Sequence, residues 1–338
     1  IVVCFMIRIT HGRLDVPLIL NYLIAACILQ CIMALLIEYV PSFQSLVDSL
    51  FSQGQEKFHE AHRLYGIGAS LDVAGSRFAC VLAAIPALLY IDREKMSYPG
   101  MTLYVLSFVI ITVVGNMIAR TTTVGVLLGL GILGILVLRD IINGEPGRQG
   151  KLTGAWIVVL AVAIPVGIIL YRSGGGIKDQ LRYGFEGFFN LAETGQFQTQ
   201  SSDIMLDRMV VFPENWKTWV IGDGYFMNAN GDLNYLGDST MLGYYMGTDI
   251  GYLRFIFLFG VPGLLAISLV MIYAAIIGAR TFPRHRMVFY LALLAGFIIW
   301  IKVATDVFPF LVLGVAGGMV KDLVDYDSEE EEEEQPVS

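Results

Sequence analysis

Residues 171–190, YRSGGGIKDQLRYGFEGFFN, open a polar stretch that continues to YYMGTD at 244–249 and then gives way abruptly to IGYLRFIFLFGVPGLL at 250–265. Apolar sequence dominates on both sides, so this insert is the one segment with enough polar and aromatic side chains to fold outside a membrane. The bulk composition agrees. Hydrophobic residues make up 56 % of the 338, charged residues 15 %, and the mean hydropathy is +0.66, well beyond the balance of a soluble domain. Val124 to Leu138, Trp156 to Leu170 and Phe255 to Ile277 approach or reach the ~20 apolar residues that a helix needs to cross the hydrocarbon core. The strict alternation of a membrane β-barrel is absent.

Working outward from the insert, the apolar stretches are Val16–Leu36, Val73–Ile91, Met101–Ile118 and those just named, followed by Met287–Val320. IVVCFMI at 1–7 reads as the tail of a helix whose start is missing. Met287–Val320 is too long for one span and is interrupted by Lys302, Asp306 and Pro309; it reads as two short helices with Asp306 near the outer surface. The expected fold is all-α, a polytopic transmembrane helix bundle of about eight complete spans plus a partial N-terminal one, with one large extracytoplasmic loop. Counting crossings places Arg8 and Arg13, the turns DREK (92–95), RDIINGEPGRQGK (139–151) and GARTFPRHR (278–286), and Lys321 on one side. An excess of Lys and Arg marks that side as cytoplasmic. The resulting division is 1–171 for the N-terminal helices, 172–251 for the loop, 252–321 for the C-terminal helices and 322–338 for a cytoplasmic tail. The tail, with its run of glutamates, repels itself and should be disordered.

The four cysteines fall in apolar segments and suggest no disulfide framework. His59 and His62 lack further partners of metal-ligand type, so neither a metal nor a cofactor is expected. No Walker loop or dinucleotide fingerprint is present, and no nucleic-acid partner is implied. What remains is a set of charges on the outer side at helix ends: Arg77 in DVAGSRFAC, Arg120 at a break between two spans, Arg182 and Arg208 in the loop, and Asp249 five residues before Arg254. An ionisable residue in a membrane helix costs about 2.5 to 3.5 kcal/mol on insertion scales and is a functional candidate by default. The competing reading for each is snorkelling or a structural ion pair, and Arg172 and Lys302 are assigned to that second class. Trp216, Trp219, Tyr225, Tyr235, Tyr244 and Tyr245 suit stacking on the flat faces of a ligand or an interfacial aromatic belt.

Three motifs, in this order and at these places in the topology, give the chain a familiar pattern: ARTTTVGVLLGLGILGILVL (119–138), LDRMVVFPENWKTWVIGDGYF (206–226) and TDIGYLRFIFLFGVPGLL (248–265). Over roughly Gly66 to Ile277 the chain resembles the O-antigen polymerase and O-antigen ligase superfamily of bacterial envelope proteins. The resemblance implies a multi-pass protein of the inner membrane with a periplasmic loop and a cytoplasmic C-terminus. It also implies polymerisation of undecaprenyl-pyrophosphate-linked oligosaccharide repeat units into O-antigen, capsular or exopolysaccharide by a metal-independent glycosyltransferase. Partners would be that lipid-linked glycan, the bilayer, and the chain-length regulator and flippase of the same pathway. By matching position, Asp249 would be the proton acceptor, Arg208 and Arg254 would act with it, and Arg120, Arg182, Arg77, Trp219 and Tyr225 would bind pyrophosphate and sugar. Fixed guanidinium forks suit a leaving group that gains negative charge, and a guanidinium beside Asp249 should lower its pKa. Ligases typically have His where this chain has Asp249, which favours polymerase. The alternatives are ligase, transferring glycan to a lipid acceptor, and a non-catalytic or flippase-like envelope protein. The chain is short for the superfamily, and some N-terminal helices of the usual bundle are expected to be missing.

Overall fold

A computed structural model describes residues 2–51, 63–68, 71–144, 150–228, 243–305, 307 and 310–320. Asp306, Pro309, Lys321, the acidic tail, Arg148, Tyr235, His59 and His62 lie outside the described residues. Among the described residues the structure is helical, with an isolated β-bridge between Met227 and Tyr244. Six helices among the described residues are long and apolar enough to cross a membrane: α2 (Val16–Tyr39), α4 (Leu71–Asp92), α5 (Tyr98–Ile118), α6 (Thr122–Ile142), α7 (Gly150–Ser173) and α12 (Gly251–Thr281). Shorter helices α1 (Val2–His11) and α3 (Pro41–Leu50) flank α2, while α13 (Arg286–Ile299) and α14 (Phe310–Val320) form the C-terminal end. The insert contributes α8 (Gly176–Gly184), α9 (Glu186–Thr194), α10 (Gln200–Ile204), a π-turn at Met205–Met209 and α11 (Trp216–Ile221). The protein is an all-α membrane helix bundle. The long apolar stretch after Met287 divides at 300–305, where Lys302 interrupts it.

The helix α4 is the axis of the bundle, buried along most of its length and packed against α6, α13, α5 and α2. Its many small residues, Ala74, Gly75, Ser76, Ala79, Ala83, Ala84 and Ala87, make that possible. A Cβ on Gly125 of α6 would lie 2.2 Å from the Ala79 carbonyl oxygen, so only glycine allows this approach. In a bilayer, where lipid tails are as apolar as leucine, such small-residue packing is a main source of helix association. By contrast α7 shows much of its surface outward, including Ile157, Val162 and Ile169, as expected of a lipid-facing helix.

The turns at the two ends of the bundle differ in chemistry. At one end Asp92 pairs with Arg284 (2.5 Å) and His285 (2.9 Å), and Asp140 pairs with Arg93 (3.2 Å) and accepts a hydrogen bond from the Tyr90 hydroxyl (2.6 Å). The turns after α4, α6 and α12 therefore meet. At the other end, the break between α5 and α6 meets the insert and the start of α12.

That start is a separate helical piece. Gly260 sits at φ 69°, inside the FGVPG sequence, and kinks α12. A side chain there would strike the Val220 carbonyl, because α11 tucks into the kink. The Asp223 amide donates to the Phe257 carbonyl (2.6 Å), while its carboxylate accepts from Thr218 (2.8 Å) and Tyr245 (3.2 Å). The Gly-Asp-Gly turn at 222–224 thus pins the insert onto the first part of α12.

Candidate functional site

The break that carries Arg120 is stitched by the threonines that follow it. Thr122 donates to the Gly115 carbonyl (3.0 Å) and Thr123 to Asn116 Oδ1 (2.6 Å), which turns the chain sharply and leaves Arg120 at the tip. Its guanidinium is then held by the insert. Arg120 Nε donates to the Tyr183 carbonyl (3.0 Å), Nη1 pairs with Glu186 (2.5 Å), and the group lies 4.2 Å from the centre of the Tyr183 ring. Arg63 stacks on the same ring at 5.1 Å. One aromatic ring therefore gathers two guanidinium groups from segments far apart in sequence.

Beside them is a cavity of about 310 Å³ whose wall includes Arg63, Asp72, Arg120, Tyr183, Asp249 and Lys302. Lys302 Nζ is 3.9 Å from Asp72, which also accepts a hydrogen bond from Thr121. Three cations and two carboxylates face one space. Burial pulls the Lys302 amine below its ordinary value, and Asp72 only partly offsets this. Burial also pushes the Tyr183 phenol up.

Asp249 lies on the cavity wall immediately before α12, and Arg254 lies behind it. Arg254 is 4 % exposed, with Nη1 3.7 Å from Asp249. Its guanidinium is closed off by the rings of Phe226 (3.8 Å) and Tyr244 (3.4 Å), which the bridge between Met227 and Tyr244 brings together. Its Nε and Nη2 have no hydrogen-bond partner among the described residues. The Asp249 carboxyl is raised above the usual carboxylate range, first by burial and then by Asp72, with Arg254 and Lys302 offsetting only part. The neighbouring guanidinium does lower it, as expected, but the net shift is upward. The physical reason is that desolvation disfavours the charged form more than one offset ion pair restores it.

The other residues singled out by sequence do not line the cavity. Arg208 is exposed on the π-turn, although the carbonyl of its neighbour Met209 accepts from Thr248 (2.6 Å) and ties that turn to Asp249. Arg182 is exposed and forms a two-pronged pair with Glu193 (2.9 and 2.6 Å); this pair holds its guanidinium above the usual range and the Glu193 carboxyl below. Arg77 lines a different cavity, with Cys27, Gln30 and Phe310. Trp219 donates to the Pro213 carbonyl (2.9 Å) and stacks on Phe212, and Tyr225 packs against Tyr245, so both serve the insert's own packing.

Sequence reasoning missed Arg63, Asp72 and Tyr183, and assigned Lys302 to a structural role. Lys302 carried a usable signal, an amine in the middle of an apolar stretch. Tyr183 carried none, because its importance comes from the two cations folded onto it. Among the described residues no group of three His, Cys, Asp or Glu side chains is placed to hold a metal ion.

Fold and cavity together define a multi-pass membrane protein with a mixed-charge site at one end of its helix bundle. No family model, curated protein or solved structure matches the chain.

Proposed function

We propose that this chain is a metal-independent membrane glycosyltransferase that polymerises undecaprenyl-pyrophosphate-linked oligosaccharide repeat units. The observation that carries the reading is the cavity in which Arg63, Arg120 and Lys302 face a common space with Asp249 on its wall. A hydroxyl of one lipid-linked unit attacks the anomeric carbon of a second glycan. The bond from that carbon to the pyrophosphate oxygen breaks, and its electron pair leaves on undecaprenyl pyrophosphate. Arg63, Arg120 and Lys302 stabilise the charge that develops there, in place before the reaction begins. Asp249 takes the hydroxyl proton, a task helped by its raised pKa, since a base of higher pKa drives the transfer better. Arg254 acts as a positioning residue for that carboxylate.

On this reading the bundle has about eight spans in the bacterial inner membrane. The cavity and the insert at 172–251 face the periplasm, the C-terminus is cytoplasmic, and the flippase and chain-length regulator are neighbours in the pathway. Asp249 in place of a histidine favours polymerase over ligase. Purified protein in nanodiscs, given a lipid-linked repeat unit, should form a ladder of longer lipid-linked glycans and release one undecaprenyl pyrophosphate per bond. Release of undecaprenyl pyrophosphate only when a lipid A-type acceptor is added would identify a ligase, and no release with either would defeat the proposal.

A further inference from the structure

The insert's first two helices form a surface that the proposed reaction does not use. Leu181 of α8, Phe185 in the turn between the two helices, and Phe188, Phe189 and Ala192 of α9 line one side and form an apolar stripe. That stripe faces Ile164, Gly167 and Ile168 near the end of α7 across an open groove of about 520 Å³. The groove continues the lipid-facing side of α7, and around it Phe188 is 45 %, Leu191 46 % and Phe197 60 % exposed. Such a patch of large apolar side chains is not left to water without a partner. Charge marks the rim. Arg172 lines the groove, is exposed, and has no ion-pair partner among the described residues, while Lys178 stacks on Tyr171 at 5.6 Å. The opposite face of the two helices carries Asp179 and Asn190, while Arg182, 5.8 Å from the centre of the Phe189 ring and paired with Glu193, stands at the edge of the stripe. An apolar stripe backed by a charged face and bordered by basic residues is the pattern of helices that lie in the membrane–water interface.

We propose that α8 and α9 lie in that interface and that the groove beneath them holds an acyl chain of an anionic bilayer phospholipid, with its phosphate at Arg172. This goes beyond the glycosyl-transfer reading. The groove is separate from the charged cavity, but Phe185 and Phe188 form a wall shared with an adjoining cavity that contains Arg120 and Lys302. A lipid seated there supports the turn between Tyr183 and Glu186, the two residues that hold Arg120.

The test uses the full chain in nanodiscs and needs no substrate. All four cysteines are buried, so bimane can be attached selectively to Ala192→Cys in the groove and to Asp179→Cys on the polar face. Ile168→Cys on α7 reports from the opposite wall if the first variant folds poorly. Phospholipids brominated on their acyl chains should quench the groove labels and spare the label at 179. Brominated phosphatidylglycerol should act at about fivefold lower mole fraction than brominated phosphatidylcholine, the preference expected of one basic side chain near an anionic headgroup. Arg172→Gln should remove that preference. Groove labels quenched no more than the label at 179 would overturn the site, and equal quenching by the two headgroups in the presence of Arg172 would overturn its assignment to an anionic phospholipid. Quenching is read without turnover, so failure here leaves the glycosyl-transfer reading intact, and inactivity with normal quenching rejects only that reading.

Discussion

Replacing Asp249 with Asn keeps the shape of the side chain and removes its charge, and the structure predicts opposite effects on turnover and stability. At 3.7 Å from Arg254, and with an effective dielectric of about 20, the Coulomb attraction is about 4.5 kcal/mol. Taken alone, that figure predicts a badly destabilised variant. The raised carboxyl shows that burial and Asp72 outweigh the attraction of Arg254 and Lys302. A carboxyl raised in the folded state stabilises the fold fully below its unfolded pKa and loses that contribution as pH rises through its folded value. The ionised form is therefore a net cost relative to the protonated one, so Asp249→Asn should leave stability within about 1 kcal/mol of the wild type or raise it. Turnover should fall about 10² to 10⁴-fold, the usual contribution of a positioned base. Wild-type activity should decline as pH falls through the raised Asp249 value, at a pH above that of an ordinary aspartate, and the residual activity of the Asn variant should lack this limb. The assay is ladder formation from lipid-linked repeat units in nanodiscs, paired with a thermal unfolding curve on the same sample. Normal polymerisation by the Asn variant, or a large loss of stability, would refute the reasoning.

Three further outcomes follow from the same geometry. Arg120→Ala should lower ladder formation about 10² to 10³-fold, with Arg120→Lys between it and wild type because a point charge lacks the fork; Arg208→Ala, outside the cavity, should polymerise at close to the normal rate. Gly125→Val forces a side chain into the Ala79 carbonyl and should cost about 1 to 3 kcal/mol or more by overpacking, read as a lower unfolding temperature in detergent. Cysteine labelling in cells should reach Asn190 and Trp216 from the periplasm and Asn143 and Pro283 only after permeabilisation; labelling of Asn190 and Asn143 from one side would contradict the orientation.

Hydropathy was enough to locate the long helices, because burial in lipid is a property of a whole run and survives errors of a few residues at its ends. The Lys302 interruption was also visible as a local break in apolar sequence, whereas Phe255 to Ile277 read as one uninterrupted span and the kink at Gly260 came only with the structure. At the site, Arg120 and Asp249 could be singled out because each stands at the edge of an apolar span, where charge is conspicuous. Arg208 and Arg182 looked equivalent to Arg120 in sequence, yet one faces solvent and the other is taken by Glu193. Their environment is set by how the insert folds, which has no periodic signature to read. Arg63 and Tyr183 were invisible for a related reason: their stacking joins the segment before α4 to the end of α8, and neither neighbourhood announces the other. The direction of the Asp249 shift is set by its burial and then by Asp72, which the sequence does not place beside it.

The cavity beside Arg120 and Asp249 is proposed to join lipid-linked repeat units. Its most direct test is the glycan profile of cells lacking this chain and complemented with variants of it. The account predicts single repeat units on a lipid core in the absence of the chain. Long polymer should return with the wild type and with Arg208→Ala, but not with Asp249→Asn or Arg120→Ala at equal expression. Full-length polymer accumulating on undecaprenyl pyrophosphate, or a length distribution unchanged by loss of the chain, would contradict it.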